Sequence, residues 1–227
     1  MNRVNRVNSA DMTPRDRIRR IVERDLQPVR PLLAPGRRVA IVLPIAAALA
    51  IAAATRYGLR VDSEQLGGII TWGFSAAQWT LGLLILALAL RQAIPGAGVS
   101  RRLVATAGIA TVAAILTITT VTYAAHPTFV PAAHRISFWY LCFLGPLEFG
   151  APLLVLASVL SARAFPTRPA VTGALCGLAA GVIADSGWRL TCWVTAPAHV
   201  LGAHTLAIAS LAAAGACLGA LIDALRK

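Results

Sequence analysis

The chain has 227 residues, of which 57% are hydrophobic and 13% are charged, and its formal net charge is +12. A soluble domain usually carries about 25% charged residues, so this composition excludes an ordinary soluble domain and predicts an all-α polytopic membrane protein. The positive charge does not indicate direct nucleic-acid binding, because the basic amino-terminal segment lacks the interleaved aromatic residues of such surfaces.

Residues 1–38 form a basic segment that is predicted to be a cytoplasmic tail. A helix is predicted over residues 13–26, because Thr13 suits the N-cap, Pro14 the first helical position and Asp16 the third. Prolines at positions 28, 31 and 35 end this helix and make a stiff linker to the first apolar stretch. Met12 is a second candidate for the first residue of the protein.

The predicted tail helix is amphipathic. Its apolar stripe consists of Ile18, Ile21, Val22 and Leu26. Their spacing of i, i+3, i+4 and i+8 places them on one face of a helix. A helix this short is marginal in water, so the stripe needs a partner. Two partners remain open from the residues alone: the membrane lipid surface, and a cytoplasmic protein that docks on the helix.

Six apolar stretches are predicted to be transmembrane helices, since about 17 residues can cross the hydrocarbon core. They lie at about 39–55, 66–90, 103–125, 136–162, 169–187 and 199–222. An even number of spans puts both termini on one side, and 17 of the 21 Lys and Arg residues fall on that side. By the positive-inside rule both termini are predicted to be cytoplasmic, in a multi-pass protein of the bacterial inner membrane.

Small residues recur every four positions in the last two spans. They are Gly173, Gly177 and Gly181 in the fifth span, and Gly215 and Gly219 in the sixth. Such spacing allows two helices to approach closely in lipid. The fifth and sixth helices are therefore predicted to be close neighbours.

Four polar residues are predicted to lie within or at the ends of the spans, where a charge is costly unless it is paired. They are Gln78, Glu148, Asp185 and Arg189. Gln78 is expected within hydrogen-bond reach of Glu148, and Asp185 and Arg189, at i and i+4, are expected to form an ion pair. A small membrane transporter that uses Glu148 and Asp185 is the alternative function for the chain. Structural contacts between helices are favoured, because the chain shows no internal repeat of the kind typical of transporters.

The four cysteines fall into two groups. Cys176 and Cys217 are predicted to be packing residues in the cytoplasmic halves of the last two spans. Cys142 and Cys192 are predicted near the outer face, where the histidines, including His199, also lie. A disulfide, a thiolate–imidazole metal site and inert packing all remain open for this pair. The sequence has no C-x-x-C or H-E-x-x-H motif and no haem or quinone pattern, so an enzyme is not predicted.

Several short segments follow one another along the chain: DLQPVRPL (25–32), LRVD (59–62), RQAIPG (91–96), PTRP (166–169) and PAHVL (197–201), together with Cys142 and Cys192. In their order and spacing they resemble the NrsF family, membrane-bound negative regulators of extracytoplasmic-function (ECF) sigma factors. The resemblance covers nearly the whole chain from about residue 15. The chain departs from the common family pattern after Cys192, where Trp193 stands in place of proline.

The resemblance implies an anti-sigma factor that holds an ECF-type sigma factor at the inner membrane and releases it on a redox or heavy-metal envelope signal. It also implies that Cys142 and Cys192 take part in sensing. His199 is a third candidate sensing residue, with a cap at the start of the sixth span or a position at the lipid headgroups as its alternative roles. A metal ion at the two cysteines is the one cofactor expected as an alternative to a disulfide. The resemblance further favours the tail stripe as the sigma-binding surface, and it leaves the oligomeric state open.

Overall fold

The computed structural model describes residues 13–25 and 32–226, and the chain divides into two compact units, Met1–Leu32 and Leu33–Lys227. In the first unit, helix α1 spans Pro14–Asp25. Thr13 caps it as predicted, because its Oγ1 accepts a hydrogen bond from the Asp16 backbone N–H at 3.2 Å and donates one to Asp16 Oδ2 at 2.6 Å. Leu26 and the proline-rich segment 26–31 lie outside the described residues.

The second unit contains six helices that are long and apolar enough to cross a membrane, counted over the described residues. They are α2 (Pro35–Tyr57), α3 (Ser63–Gln92), α4 (Arg101–Ala125), α5 (Ala132–Ala162), α6 (Pro169–Trp188) and α7 (Pro197–Ala224). The same part of the chain contains no β-strand. The predicted all-α architecture with six such helices is confirmed.

Three of these helices depart locally from α geometry. α3 is kinked at Gly67, whose φ is 74°, and continues through a π-helical turn at Ile69–Gly73. α5 starts with a 3₁₀ turn at Ala132–His134, and α7 contains a π turn at Val200–His204. Pro44 in α2 and two prolines in α5 leave their helices continuous.

Helix α6 is the centre of the bundle. Of the residues in its most apolar stretch 78% are buried, whereas the corresponding value for α2, α4 and α7 is 22–28%. It packs against α2, α3, α5 and α7. The main apolar core includes Leu86 and Leu90 of α3, Leu153 of α5, and Ala179 and Ile183 of α6. α4 lies at the periphery.

The glycines of α6 and α7 bring these two helices into direct backbone contact. A Cβ built on Gly177 would overlap the Leu211 carbonyl oxygen, and one built on Gly173 would overlap the Gly215 carbonyl oxygen. Gly219 faces the Pro169 carbonyl in the same way. The predicted neighbourhood of these two helices is confirmed. Cys176 is fully buried in the core, but Cys217 is exposed, so the prediction that Cys217 is a packing residue is wrong.

The bundle has two distinct ends. We call the end with segments 93–100 and 163–168 the proximal end, and the end with segments 58–62, 126–131 and 189–196 the distal end. At the proximal end Arg38 of α2 is buried, and its guanidinium donates to the carbonyl oxygens of Leu90 at 2.7 Å and Leu160 at 3.2 Å. These carbonyls belong to the last turns of α3 and α5, where the helix itself supplies no donor. Arg38 therefore ties three helices together.

Candidate cysteine–histidine site

The distal loops are held together by polar contacts. The Arg60 guanidinium forms a buried bidentate pair with Asp62 at 2.7 and 2.8 Å, and the Arg60 backbone N–H donates to the Leu190 carbonyl at 2.8 Å. Thr128 donates from its backbone N–H to Thr195 Oγ1 at 2.8 Å, and accepts from the Thr195 backbone N–H at 2.9 Å. These contacts give segment 189–196 a defined course between α6 and α7.

Four potential ligands for a metal meet beneath these loops. Cys142 comes from the second turn of the α-helical part of α5, Cys192 from segment 189–196, and His199 and His204 from the start of α7. All four side chains are buried, and one ligand atom from each lies within 4.8 Å of the others. The two Sγ atoms are 3.3 Å apart, and Cys192 Sγ is 3.8 Å from His199 Nε2. We refer to these four residues as the Cys/His cluster.

The Cys/His cluster contains the three residues that the sequence singled out, together with His204, which the sequence did not. In a regular α-helix His199 and His204 would point about 140° apart, because successive residues turn by about 100°. The π turn at Val200–His204 widens the helix at this point and brings the two imidazole centroids to 5.9 Å. Spacing alone therefore gave no signal for His204.

A buried polar network orients His204. Its Nδ1 lies 2.6 Å from Asp185 Oδ1, and the other carboxylate oxygen of Asp185 accepts a hydrogen bond from Gln78 Nε2 at 2.6 Å. His204 Nε2 is buried and has no hydrogen-bond partner among the described residues. With Nδ1 held by the carboxylate, Nε2 is the ring nitrogen that the Cys/His cluster receives.

Comparison with known proteins identifies the family. A family model described as "Negative regulator of sigma F", NrsF, matches residues 23–222. The chain belongs to the NrsF family. This confirms the resemblance seen in the sequence and makes the chain a member of a family of sigma-factor regulators, which is not an enzyme family. No curated protein and no solved structure matches the chain.

Two predicted polar contacts of this NrsF-family chain are wrong. Gln78 bonds to Asp185 and not to Glu148, since the side chain of Gln78 faces α6. Asp185 does not make the predicted direct ion pair with Arg189, because its two oxygens bond to His204 and Gln78, and the two charges attract each other only at longer range. The Arg189 guanidinium donates instead to Thr122 Oγ1 at 3.3 Å.

Glu148, the other predicted intramembrane acid, lies on a different surface of the NrsF-family bundle. Its carboxylate accepts from Arg56 Nη1 at 2.8 Å and from the Tyr57 hydroxyl at 2.9 Å, and its side chain is 41% exposed. Glu148 and Asp185 share no partner among the described contacts. The two acids therefore do not form a common site.

The surroundings of the Cys/His cluster combine apolar walls with positive charge. Val130, Phe149, Trp188 and Val194 belong to the buried apolar group around the two cysteines. A small cavity beside Cys192 is lined by the arginines at 60 and 189. The hydrogen bond donated by the Cys142 thiol lowers the pKa of Cys192 well below its ordinary value, although burial acts in the opposite direction. Of the two thiols, that of Cys192 is therefore the easier to deprotonate.

The predicted partner-binding residues of α1 are placed together on its surface. Ile18, Ile21 and Val22 are 63%, 56% and 51% exposed. An apolar stripe with this exposure on a helix of 12 residues has no partner within its own unit among the described residues.

Proposed function

We propose that the chain is an anti-sigma factor of the bacterial inner membrane, with both termini in the cytoplasm, which sequesters an ECF-type sigma factor. On this proposal the tail helix docks on sigma, and an envelope signal read by Cys142 and Cys192 releases it. The observation that carries the proposal is the NrsF match over residues 23–222. The exposed stripe of α1 and the buried thiol pair at the distal end supply the two surfaces that such a regulator needs.

The topology of the proposal rests on charge. The proximal end and the termini carry 17 of the 21 basic residues, so the positive-inside rule assigns them to the cytoplasm. The distal end, with Cys142 and Cys192, then faces the periplasm, where thiols meet oxidants and metals. A tag at the amino terminus should be reached only in permeabilised cells. Access to that tag in intact spheroplasts would refute the orientation.

The docking step is tested by comparing two faces of α1. Ile18→Ser combined with Val22→Ser removes most of the stripe, whereas Arg20→Ser changes the opposite face. The full-length variants should be purified with each ECF-type sigma factor of the host, and target-gene expression should be measured. We expect the double variant to lose sigma and derepress the targets, and Arg20→Ser to keep both. Retention of sigma by the double variant would contradict the docking role.

The sensing step is tested in the same strain. In Cys142→Ser and Cys192→Ser, the expression of target genes should no longer respond to oxidants and heavy metals, because each substitution removes one sulfur of the pair. Expression is then constant, either repressed or induced. Cys217→Ser is the matched control, since Cys217 is exposed on α7 and belongs to no cluster among the described residues. Normal induction in both cluster variants would show that the signal is read elsewhere.

A further inference from the structure

The composition of the Cys/His cluster distinguishes between a disulfide and a metal. A disulfide uses two sulfurs and has no need of imidazoles. The cluster places two imidazoles beside the two sulfurs, with every side chain less than 9% exposed. Two thiolates and two imidazoles are one of the standard tetrahedral ligand sets for zinc. The presence of all four ligand atoms, two sulfurs and two imidazole nitrogens, in one buried volume therefore favours a metal ion.

The distances come close to this geometry. With zinc–sulfur bonds of about 2.3 Å and zinc–nitrogen bonds of about 2.0 Å, the ligand atoms of a tetrahedron are separated by about 3.8 Å for two sulfurs and about 3.5 Å for sulfur and nitrogen. The Sγ atoms of Cys142 and Cys192 are 3.3 Å apart, and Cys192 Sγ and His199 Nε2 are 3.8 Å apart, so each pair differs from its ideal separation by about 0.5 Å or less. Small side-chain movements suffice to bring all four atoms to bonding distance, because none of the atoms is more than 4.8 Å from another.

A second, independent observation comes from His204. Its Nε2 is a buried polar atom that makes no hydrogen bond of ordinary geometry among the described residues and interacts instead with the Cys192 thiol, although an unsatisfied buried polar atom is usually costly. The same ring is held through Nδ1 by Asp185, which is held in turn by Gln78. A carboxylate that accepts from the second nitrogen of a histidine is the usual support of a metal-bound imidazole. With Nδ1 turned to Asp185, Nε2 is the ring nitrogen that faces the Cys/His cluster.

We propose that Cys142, Cys192, His199 and His204 form a closed four-coordinate site for a zinc-type divalent cation, Zn²⁺ or its thiophilic competitor Cd²⁺. Asp185 and Gln78 are positioning residues that orient His204. Binding forms two metal–sulfur and two metal–nitrogen bonds and releases the two thiol protons to solvent, with no change of oxidation state. The site joins α5, segment 189–196 and α7, and through Gln78 it also reaches α3.

This inference rests on the proposed function and deepens it. On this view an envelope signal acts by changing whether, and by which metal ion, Cys142 and Cys192 are bound. Loss of the ion, or its replacement by a larger one, would alter the distances between α5, segment 189–196 and α7. An oxidant that removes the thiolates would have the same consequence, because it removes two of the four ligands.

The test uses full-length protein in detergent, stripped with a chelator and titrated with Zn²⁺, Cd²⁺ or Mg²⁺, with metal measured by mass spectrometry. We expect one Zn²⁺ or Cd²⁺ per chain and no Mg²⁺. Co²⁺ should give the intense absorption of a tetrahedral site with sulfur ligands. This spectrum is obtained on the unmodified chain, so it does not depend on the folding of any variant. Absence of both stoichiometric zinc and the cobalt spectrum would overturn the proposal.

Variants then assign the ligands. Cys142→Ser and His204→Ala should lose the cobalt–thiolate spectrum or change it to that of a three-ligand site, whereas His134→Ala, at an exposed distal histidine, should not. Asp185→Asn should keep one metal per chain but weaken its binding by about 10–100-fold, as expected for a residue that acts through a ligand. Unchanged affinity in His204→Ala would exclude His204 from the site.

The same preparations separate this inference from the proposed function, because bound sigma factor is measured beside bound metal. Metal binding without any effect of chelation on sigma binding would leave the site standing and refute its regulatory role. Sigma binding in a chain that takes up no zinc would refute the metal site and leave the proposed anti-sigma function standing.

Discussion

The backbone contact between α6 and α7 predicts that Gly177→Ala is strongly destabilising. A Cβ at Gly177 would overlap the carbonyl oxygen of Leu211, and would lie 2.7 Å from the Leu211 carbonyl carbon and 2.8 Å from the Ala212 Cα. Carbon atoms in favourable contact are about 3.5–4.0 Å apart. The two helices would therefore have to separate by about 0.8 Å or more, since main-chain atoms cannot rotate out of the way.

The size of the effect follows from two opposing terms. Overpacking of a filled site costs about 1–3 kcal/mol, and the upper end applies here because the obstacle is backbone. Replacement of a helical glycine by alanine returns up to about 1 kcal/mol. We therefore expect a net loss of about 2 kcal/mol. Gly108→Ala in α4 is the matched control, since a Cβ at Gly108 meets nothing within 4 Å, and it should be neutral or stabilising by up to about 1 kcal/mol.

The measurement is reversible unfolding of the purified chain in mixed micelles, with both variants beside the wild type. A difference of about 3 kcal/mol between the two alanine variants corresponds to roughly a hundredfold difference in the folding equilibrium. Equal stabilities for Gly177→Ala and Gly108→Ala would refute the close approach of α6 and α7. Such a result would also mean that close helix packing does not explain the glycines of α6 and α7.

Three further substitutions test other contacts. Arg38→Met should lower the free energy of unfolding by about 1.5–3 kcal/mol, because two helix-terminal carbonyls lose a charged donor. The control Arg37→Met, at an exposed arginine, should change it by no more than about 0.5 kcal/mol in the same unfolding assay. Asp62→Asn should cost about 3 kcal/mol or more, since it leaves the Arg60 guanidinium buried without its ion pair, and proteolysis of segment 189–196 should accelerate. Glu148→Gln should change stability by less than about 1 kcal/mol and leave target-gene repression intact; a defect in uptake or efflux with normal repression would instead favour a transporter.

Hydropathy predicted the helices of this chain because each must present an apolar surface over its whole length, whatever its neighbours are. The spacing of Gly173 and Gly177 likewise predicted a close helix pair, since a stripe of small residues has few other uses in lipid. The cap at Thr13 is local and could be recognised from three residues. The proximity of Cys142 and Cys192 was within reach because topology assigns both to one end of the bundle.

Polar partners between helices could not be predicted in the same way. Gln78 was expected to face Glu148 because both lie near the middle of a span, but depth does not determine how a helix is rotated about its axis. The rotation of α3 turns Gln78 towards Asp185 of α6. His204 was missed for a related reason, since a π turn changes the phase of the helix and leaves no mark in hydropathy.

The position of the Cys/His cluster limits how a change there can spread through the bundle. His199 and His204 begin α7, and α7 packs against α6 with the two backbones in direct contact at the glycines. Bending α7 away from α6 would lose this close packing, so a displacement of the two histidines is expected to move the pair together or to shift segment 189–196. A rigid movement of the pair would carry to the proximal ends of α6 and α7, where Gly219 contacts the Pro169 carbonyl. Because packed interfaces have discrete arrangements, such a rigid pair favours two-state behaviour over gradual deformation.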